Sequence, residues 1–165
     1  MKNQIIRSSK VFCLFFIISL VFTSCSSSDD PSDEPASFTG LTATISGEMF
    51  TATQSQVFAS AGSDFFTLVA RLDSGEQLDI ALPSNDVGVY TITGDSNSGI
   101  LSTYSPDGAS FNFGLSGTIT IIENTVGSGL NSTINGTFEI NYSQDGSTIT
   151  NQATGGVFNI SYLAL

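Results

Sequence analysis

The chain contains few side chains that could perform catalysis. It has no histidine, its last lysine is Lys10, and Arg71 is the single basic residue beyond that point. A serine nucleophile needs a neighbouring histidine or lysine as its base, which excludes that mechanism. Paired carboxylates about 5–10 Å apart could still hydrolyse glycosides, and the candidates are Asp79, Glu123 and Glu139. Each alternates with apolar neighbours and should face solvent, so we expect no enzyme activity.

Calcium is the one cofactor that the loops bring into consideration, because it binds carboxylate and carbonyl oxygens. Asp95 and Asn97 lie in a glycine-flanked loop, and Asp107 lies in a Ser-Pro-Asp-Gly turn. Their spacing matches no calcium-binding loop, and turn formation explains the same residue types. We therefore predict no metal and no cofactor, with these three residues as the alternative.

Two residues are candidate ligand contacts. Arg71 could clamp a carboxylate or sulfate group of a ligand, although pairing with Asp73 or Asp79 is the simpler interpretation. Tyr104 stands beside the turn that begins at Ser105, so we expect it near an exposed rim, where it could stack on a sugar.

Cys25 follows a segment with the three parts of a secretory signal. Lys2, Arg7 and Lys10 are basic, residues 11–22 are apolar except for one serine, and two small residues precede the cysteine. The apolar run is shorter than the roughly 20 residues that a membrane-spanning helix needs. The segment therefore predicts export, with residues 1–24 as the signal peptide.

Residues 22–25 resemble the lipobox of bacterial lipoproteins, with Phe22 in place of the usual leucine and Thr23 in place of alanine or serine. The resemblance implies cleavage before Cys25, a diacylglycerol on its sulfur and acylation of the new amine, and several acyl chains anchor a protein stably. Residues 26–30 resemble the Ser- and Asp-rich stretch of Bacteroidota surface lipoproteins. That implies an outer-membrane lipoprotein exposed at the cell surface; ordinary secretion with a free thiol is the alternative.

Without residues 1–24, Arg71 stands against fifteen acidic residues, a side-chain charge of −14. Such a chain repels nucleic acid and anionic lipids. Residues 25–37, rich in Ser, Asp and Pro, predict a flexible tether that starts at the acylated cysteine. Residues 38–165 are long enough for a single domain and contain no cysteine, so the core alone must stabilise them.

Apolar residues recur with period two after residue 38, which predicts strands with one buried face. Examples are Leu78, Ile80 and Leu82, and likewise Phe111, Phe113 and Leu115. Residues 136–142 are echoed by residues 156–162, with a glycine opening each copy, which predicts two paired strands with the same packing. The fold class is all-β: an antiparallel β-sandwich or β-barrel of about nine or ten strands, preceded by the signal segment and disordered tether.

The order of short motifs resembles a family of uncharacterised Bacteroidota lipoproteins that contain a domain of unknown function. The motifs lie at residues 43–50, 88–92, 117–121, 136–138 and 156–158, and Phe50 stands where the family often has tryptophan. The resemblance implies an all-β lipoprotein domain and implies no activity.

These observations predict an exported envelope lipoprotein that acts as a non-enzymatic binding or accessory module. Besides the membrane reached through its lipid anchor, the expected partner is a glycan or an envelope protein. The alternatives are a structural subunit of an envelope complex and a carboxylate-pair glycoside hydrolase. A binding module should show an exposed apolar or tyrosine-lined patch, or a cavity among its loops.

Overall fold

A computed structural model describes residues 38–165; the predicted signal peptide, Cys25 and the predicted tether lie outside the described residues. The described chain contains ten strands and three single-turn 3₁₀ segments. The strands are β1 (Gly40–Ile45), β2 (Glu48–Thr53), β3 (Val57–Gly62), β4 (Phe65–Arg71), β5 (Gln77–Leu82), β6 (Gly88–Ile92), β7 (Leu101–Ser105), β8 (Asn112–Thr125), β9 (Ser132–Ser143) and β10 (Ile149–Ala164). The predicted all-β class and strand number are confirmed.

Seven of these strands form a closed barrel in the order β3, β4, β5, β7, β8, β9 and β10. The barrel closes where Leu163 and Ala164 of β10 pair with Ser60 and Ala61 of β3. This contact is parallel, whereas the other strand pairs among residues 38–165 are antiparallel. Strands β1 and β2 extend the sheet from β10, and β6 is added to β8. Of the two predicted architectures, the structure has the barrel.

The interior of the barrel is filled by the alternate side chains of its strands. Leu78, Ile80 and Leu82 of β5 are almost completely buried, as their period-two pattern predicts. Tyr142 and Tyr162 are also buried, and Tyr162 meets the ring of Phe66 edge-on with centroids 6.2 Å apart. Among residues 38–165, no buried side-chain nitrogen or oxygen lacks a hydrogen-bond partner. The interior is therefore a packed core with its polar groups satisfied.

The repeated Gly-x-Phe motif forms a reciprocal pair across β9 and β10. Gly136 lies opposite Phe158, and Phe138 lies opposite Gly156. A Cβ atom on Gly156 would stand 2.6 Å from the Phe138 ring, and one on Gly136 would overlap the Phe158 ring and the carbonyl oxygen of Thr120. Each phenylalanine thus occupies the space that the opposite glycine leaves. The predicted strand pairing is confirmed, and its packing explains why the motif occurs twice.

Candidate binding faces

Arg71 ends β4 with an exposed side chain, but its contact is not a carboxylate. Its Nε and Nη2 donate to Oε1 of Gln77 at 2.9 and 2.6 Å. Gln77 in turn donates through Nε2 to both carboxylate oxygens of Asp79, at 2.8 and 2.9 Å. The expectation that Arg71 pairs directly with Asp73 or Asp79 is therefore wrong, because the amide of Gln77 lies between the charges.

Tyr104 is 6 % exposed, so the expectation that it lies at an exposed rim is wrong. It points inward from β7, and its ring lies 5.8 Å from that of Tyr142. Its hydroxyl donates to Oε1 of Glu76 at 2.7 Å. Burial, together with this carboxylate, raises the pKa of the Tyr104 phenol. The ring offers no open face on which a sugar could stack.

The metal candidates form turns. Asp95 Oδ1 accepts hydrogen bonds from the backbone and side-chain nitrogens of Asn97, both at 2.9 Å. Asp107 accepts from the backbone nitrogens of Ala109 and Ser110, at 2.9 and 2.7 Å, and these bonds lower its pKa to about 2. Within residues 38–165, no three His, Cys, Asp or Glu side chains gather as a metal site would require.

The three candidate catalytic carboxylates lie on the outer wall of the barrel. Glu123 lies opposite Asn135 and Glu139 opposite Thr118 in the paired strands β8 and β9. Four residues of β9 separate the two positions, which is about 14 Å along the strand. Asp79 lies on β5, where Gln77 and Thr103 occupy its oxygens. This spacing exceeds what a glycosidase pair uses.

One row of outward-facing residues crosses five strands in register. It runs from Phe58 through Val69, Asp79 and Thr103 to Phe113. We call the outer surface of β3, β4, β5, β7 and the start of β8 the Phe face. Phe58 is 62 % exposed and Phe113 52 % exposed, so the row has an exposed apolar ring at each end.

The sequence pattern predicts the wrong orientation for one end of this face. Phe111 and Phe113 alternate as buried residues would, yet both are exposed. Asn112, which lies between them, is buried and donates through Nδ2 to the carbonyl oxygen of Tyr104 at 3.3 Å, while its Oδ1 accepts from Thr150 at 2.8 Å. These partners compensate the burial of the amide and hold Phe113 outward. The sequence pattern therefore includes Phe111 and Phe113, but it predicts them as core residues rather than exposed ones.

A shallow groove of about 200 Å³ lies in the middle of the Phe face. Its lining includes the small residues Thr67 and Ala81 and the larger Leu101, which is 48 % exposed. Asp79 is the one carboxylate in its lining, and Gln77 already holds both oxygens. The surface therefore combines apolar area with one carboxylate whose position is fixed by hydrogen bonds.

The fold and the exposed row define an all-β barrel domain with exposed aromatic residues on one outer face. The chain belongs to the family described as "Domain of unknown function (DUF6252)", whose family model matches residues 38–161. No curated protein and no solved structure matches the chain. In the part of the chain that the structure describes, no helix has the length and apolar character needed to cross a membrane.

Proposed function

We propose that this protein is an exported envelope lipoprotein, anchored to the outer membrane by lipid on Cys25 and displayed at the cell surface. The support is the order of basic, apolar and small residues before Cys25 and the Ser- and Asp-rich stretch after it. Mass spectrometry of the processed N-terminal peptide tests the anchor. The expected product begins at Cys25 and carries a thioether diacylglycerol and an amide-linked acyl chain; an unmodified thiol contradicts it.

We propose further that the domain is a non-enzymatic binding module. The observation that carries this proposal is the Phe face, with Phe58 and Phe113 more than half exposed at its two ends. Aromatic side chains of this kind supply most of the energy of protein interfaces when a partner covers them. The wide separation of Glu123 and Glu139 supports the absence of hydrolase activity.

The partner that best fits the Phe face is another envelope protein with an apolar surface that is neutral or basic. The face itself carries little charge, while the rest of the domain is strongly acidic. An acidic partner would be repelled at encounter, and a basic one would be attracted. Nucleic acid is disfavoured for the same reason.

Co-purification after mild solubilisation of the envelope tests this proposal. The wild-type protein should retain a partner that the double variant Phe58→Ser, Phe113→Ser loses. Ile122→Ser is the matched control, because Ile122 is 56 % exposed but lies outside the Phe face. A partner that co-purifies at a constant molar ratio to this protein supports a role as an accessory subunit of an envelope complex. Equal recovery with the double variant contradicts it.

A further inference from the structure

Two adjoining recesses lie on the outer wall of β8, β9 and β10, away from the Phe face. Their volumes are about 230 and 350 Å³. Both are lined by Thr118 and Glu139, so the two form one continuous depression around the Glu139 side chain. We call this depression the Glu139 trough.

Irregularities in the strands create the trough. The register of β10 with β9 shifts between Ala153 and Gly156, where a β-bulge adds residues to β10. Gly155 lies in this bulge with φ +59°, and an added Cβ there would meet no atom within 4 Å. The register of β8 with β9 also shifts between Gly114 and Ser116. Missing side chains and bent strands together leave the wall open at this place.

The lining of the trough combines polar and apolar groups, and some of its polar side chains are held in place. Asn141 donates through Nδ2 to Oγ of Ser116 at 3.0 Å, and its Oδ1 accepts from Nε2 of Gln152 at 2.9 Å. These bonds hold two side-chain amides in fixed orientations. Among the described residues, by contrast, no side-chain hydrogen bond reaches Glu139. A carboxylate without a protein partner can accept hydrogen bonds from a ligand.

From these contacts we propose that the Glu139 trough binds a neutral, polyhydroxylated chain, that is, a linear glycan without charged groups. Hydroxyl and amide groups both donate to and accept from sugar hydroxyls, and the carboxylate of Glu139 accepts from them. Methionine and arginine, which are enriched at protein interfaces, are absent from the lining, and its one aromatic residue, Phe138, is 2 % exposed and presents no open ring. Glu139 provides no basic partner for an anionic ligand and repels it.

The surface beside the trough extends the site across the sheet. One row of outward residues runs in register across β6, β8, β9, β10, β1 and β2, and consists of Val89, Thr120, Thr137, Val157, Thr42 and Thr51. Neighbouring strands are about 4.8 Å apart, which is close to the length of one sugar unit in an extended glycan. A chain lying across the strands could therefore place successive sugar units over successive side chains of the row.

Titration of the purified, processed protein tests this inference, with backbone amide resonances recorded in a detergent that has no sugar headgroup. The probes are cellohexaose, xylohexaose and maltohexaose, with a galacturonate hexamer as the anionic comparison. At least one neutral hexamer, added at about 1 mM, should change the chemical shifts of the backbone amides of Thr118, Glu139 and Asn141. No shift with any neutral hexamer, or stronger binding of the anionic one, overturns the proposal.

Variants separate this site from the Phe face. Glu139→Gln should weaken binding of the shifted hexamer about tenfold, because hydrogen bonds to a charged group are stronger than those to a neutral one. Glu123→Gln, which removes the same charge outside the trough, should leave the affinity unchanged. Phe58→Ser should also leave it unchanged, so failure of the envelope-partner proposal would not affect this result. Equal weakening by Glu123→Gln and Glu139→Gln contradicts the site.

Discussion

The reciprocal packing of glycine and phenylalanine across β9 and β10 makes Gly136 a glycine whose replacement should strongly destabilise the barrel. In Gly136→Ala the new methyl group would overlap the carbonyl oxygen of Thr120 and the ring of Phe158. The carbonyl belongs to the paired strand β8 and cannot turn away as a side chain can. Overpacking of this kind lowers the free energy of unfolding by about 1–3 kcal/mol. Because the atom in the way belongs to the backbone, we expect a loss of about 3 kcal/mol for Gly136→Ala.

Two neighbouring glycines provide graded comparisons. In Gly156→Ala the atoms nearest to the new methyl are ring atoms of Phe138 at 2.6 Å, and a ring can shift, so we expect the free energy of unfolding to fall by about 1–2 kcal/mol. In Gly155→Ala the methyl meets nothing within 4 Å, and the cost is the left-handed backbone at φ +59°, about 1 kcal/mol.

Urea unfolding of the chain expressed from Ser26 onward measures these differences. The midpoints should fall in the order Gly155→Ala, Gly156→Ala, Gly136→Ala, with unchanged dependence of the free energy on urea concentration. Equal losses of unfolding free energy for Gly136→Ala and Gly155→Ala would show that close packing between β8, β9 and β10 does not restrict residue 136 to glycine.

Three further outcomes follow from the buried tyrosines and the turn aspartates. Tyr142→Phe should lower the free energy of unfolding by about 1 kcal/mol, because it removes one buried hydrogen bond. Ser102 Oγ donates its hydrogen to the carbonyl oxygen of Asp79, so it accepts the 2.9 Å hydrogen bond from the Tyr142 hydroxyl. An unchanged urea midpoint contradicts this. Carbon-detected titration should give Asp107 a pKa of about 2. The contribution of Asp107 to stability is therefore present above about pH 4 and is lost as the pH falls towards 2. An ordinary aspartate pKa would refute the turn geometry. Because burial raises the phenol pKa values of Tyr104 and Tyr142, stability should fall as the pH rises above about 10, and absorbance should show both rings un-ionised until the barrel unfolds.

The sequence predicts most of the strands but not the way in which they close. Local alternation predicts the burial of β5 residues such as Ile80. The Asp-Gly pair at Asp145 predicts a turn, and in the structure the Asp145 carboxylate accepts a hydrogen bond from the backbone nitrogen of Thr148 at 2.7 Å. The parallel seam between Ala61 and Ala164 joins residues far apart in the chain through two residue pairs. Such a contact leaves no periodic signal in the sequence.

The candidate sites were harder to predict for a related reason. Period-two alternation shows that a strand has two different faces, but not which face is buried when the polar face can be satisfied internally. Asn112 is buried because Tyr104 and Thr150 provide hydrogen-bond partners, and this places Phe113 outside. The link from Arg71 to Gln77 likewise depends on two strands meeting in register. Neither the Phe face nor the Glu139 trough can be assembled from local patterns.

The most direct test of the proposed binding module is photocrosslinking on the cell surface at Phe58. A photoreactive benzoylphenylalanine replaces Phe58 in one variant and Ile122, which is 56 % exposed and outside the Phe face, in another. The proposal predicts a discrete crosslinked product with one envelope protein from position 58 and none from position 122. The same product from both positions, or none from position 58 in intact cells, would contradict the assignment of the Phe face as the surface through which this protein binds its partner.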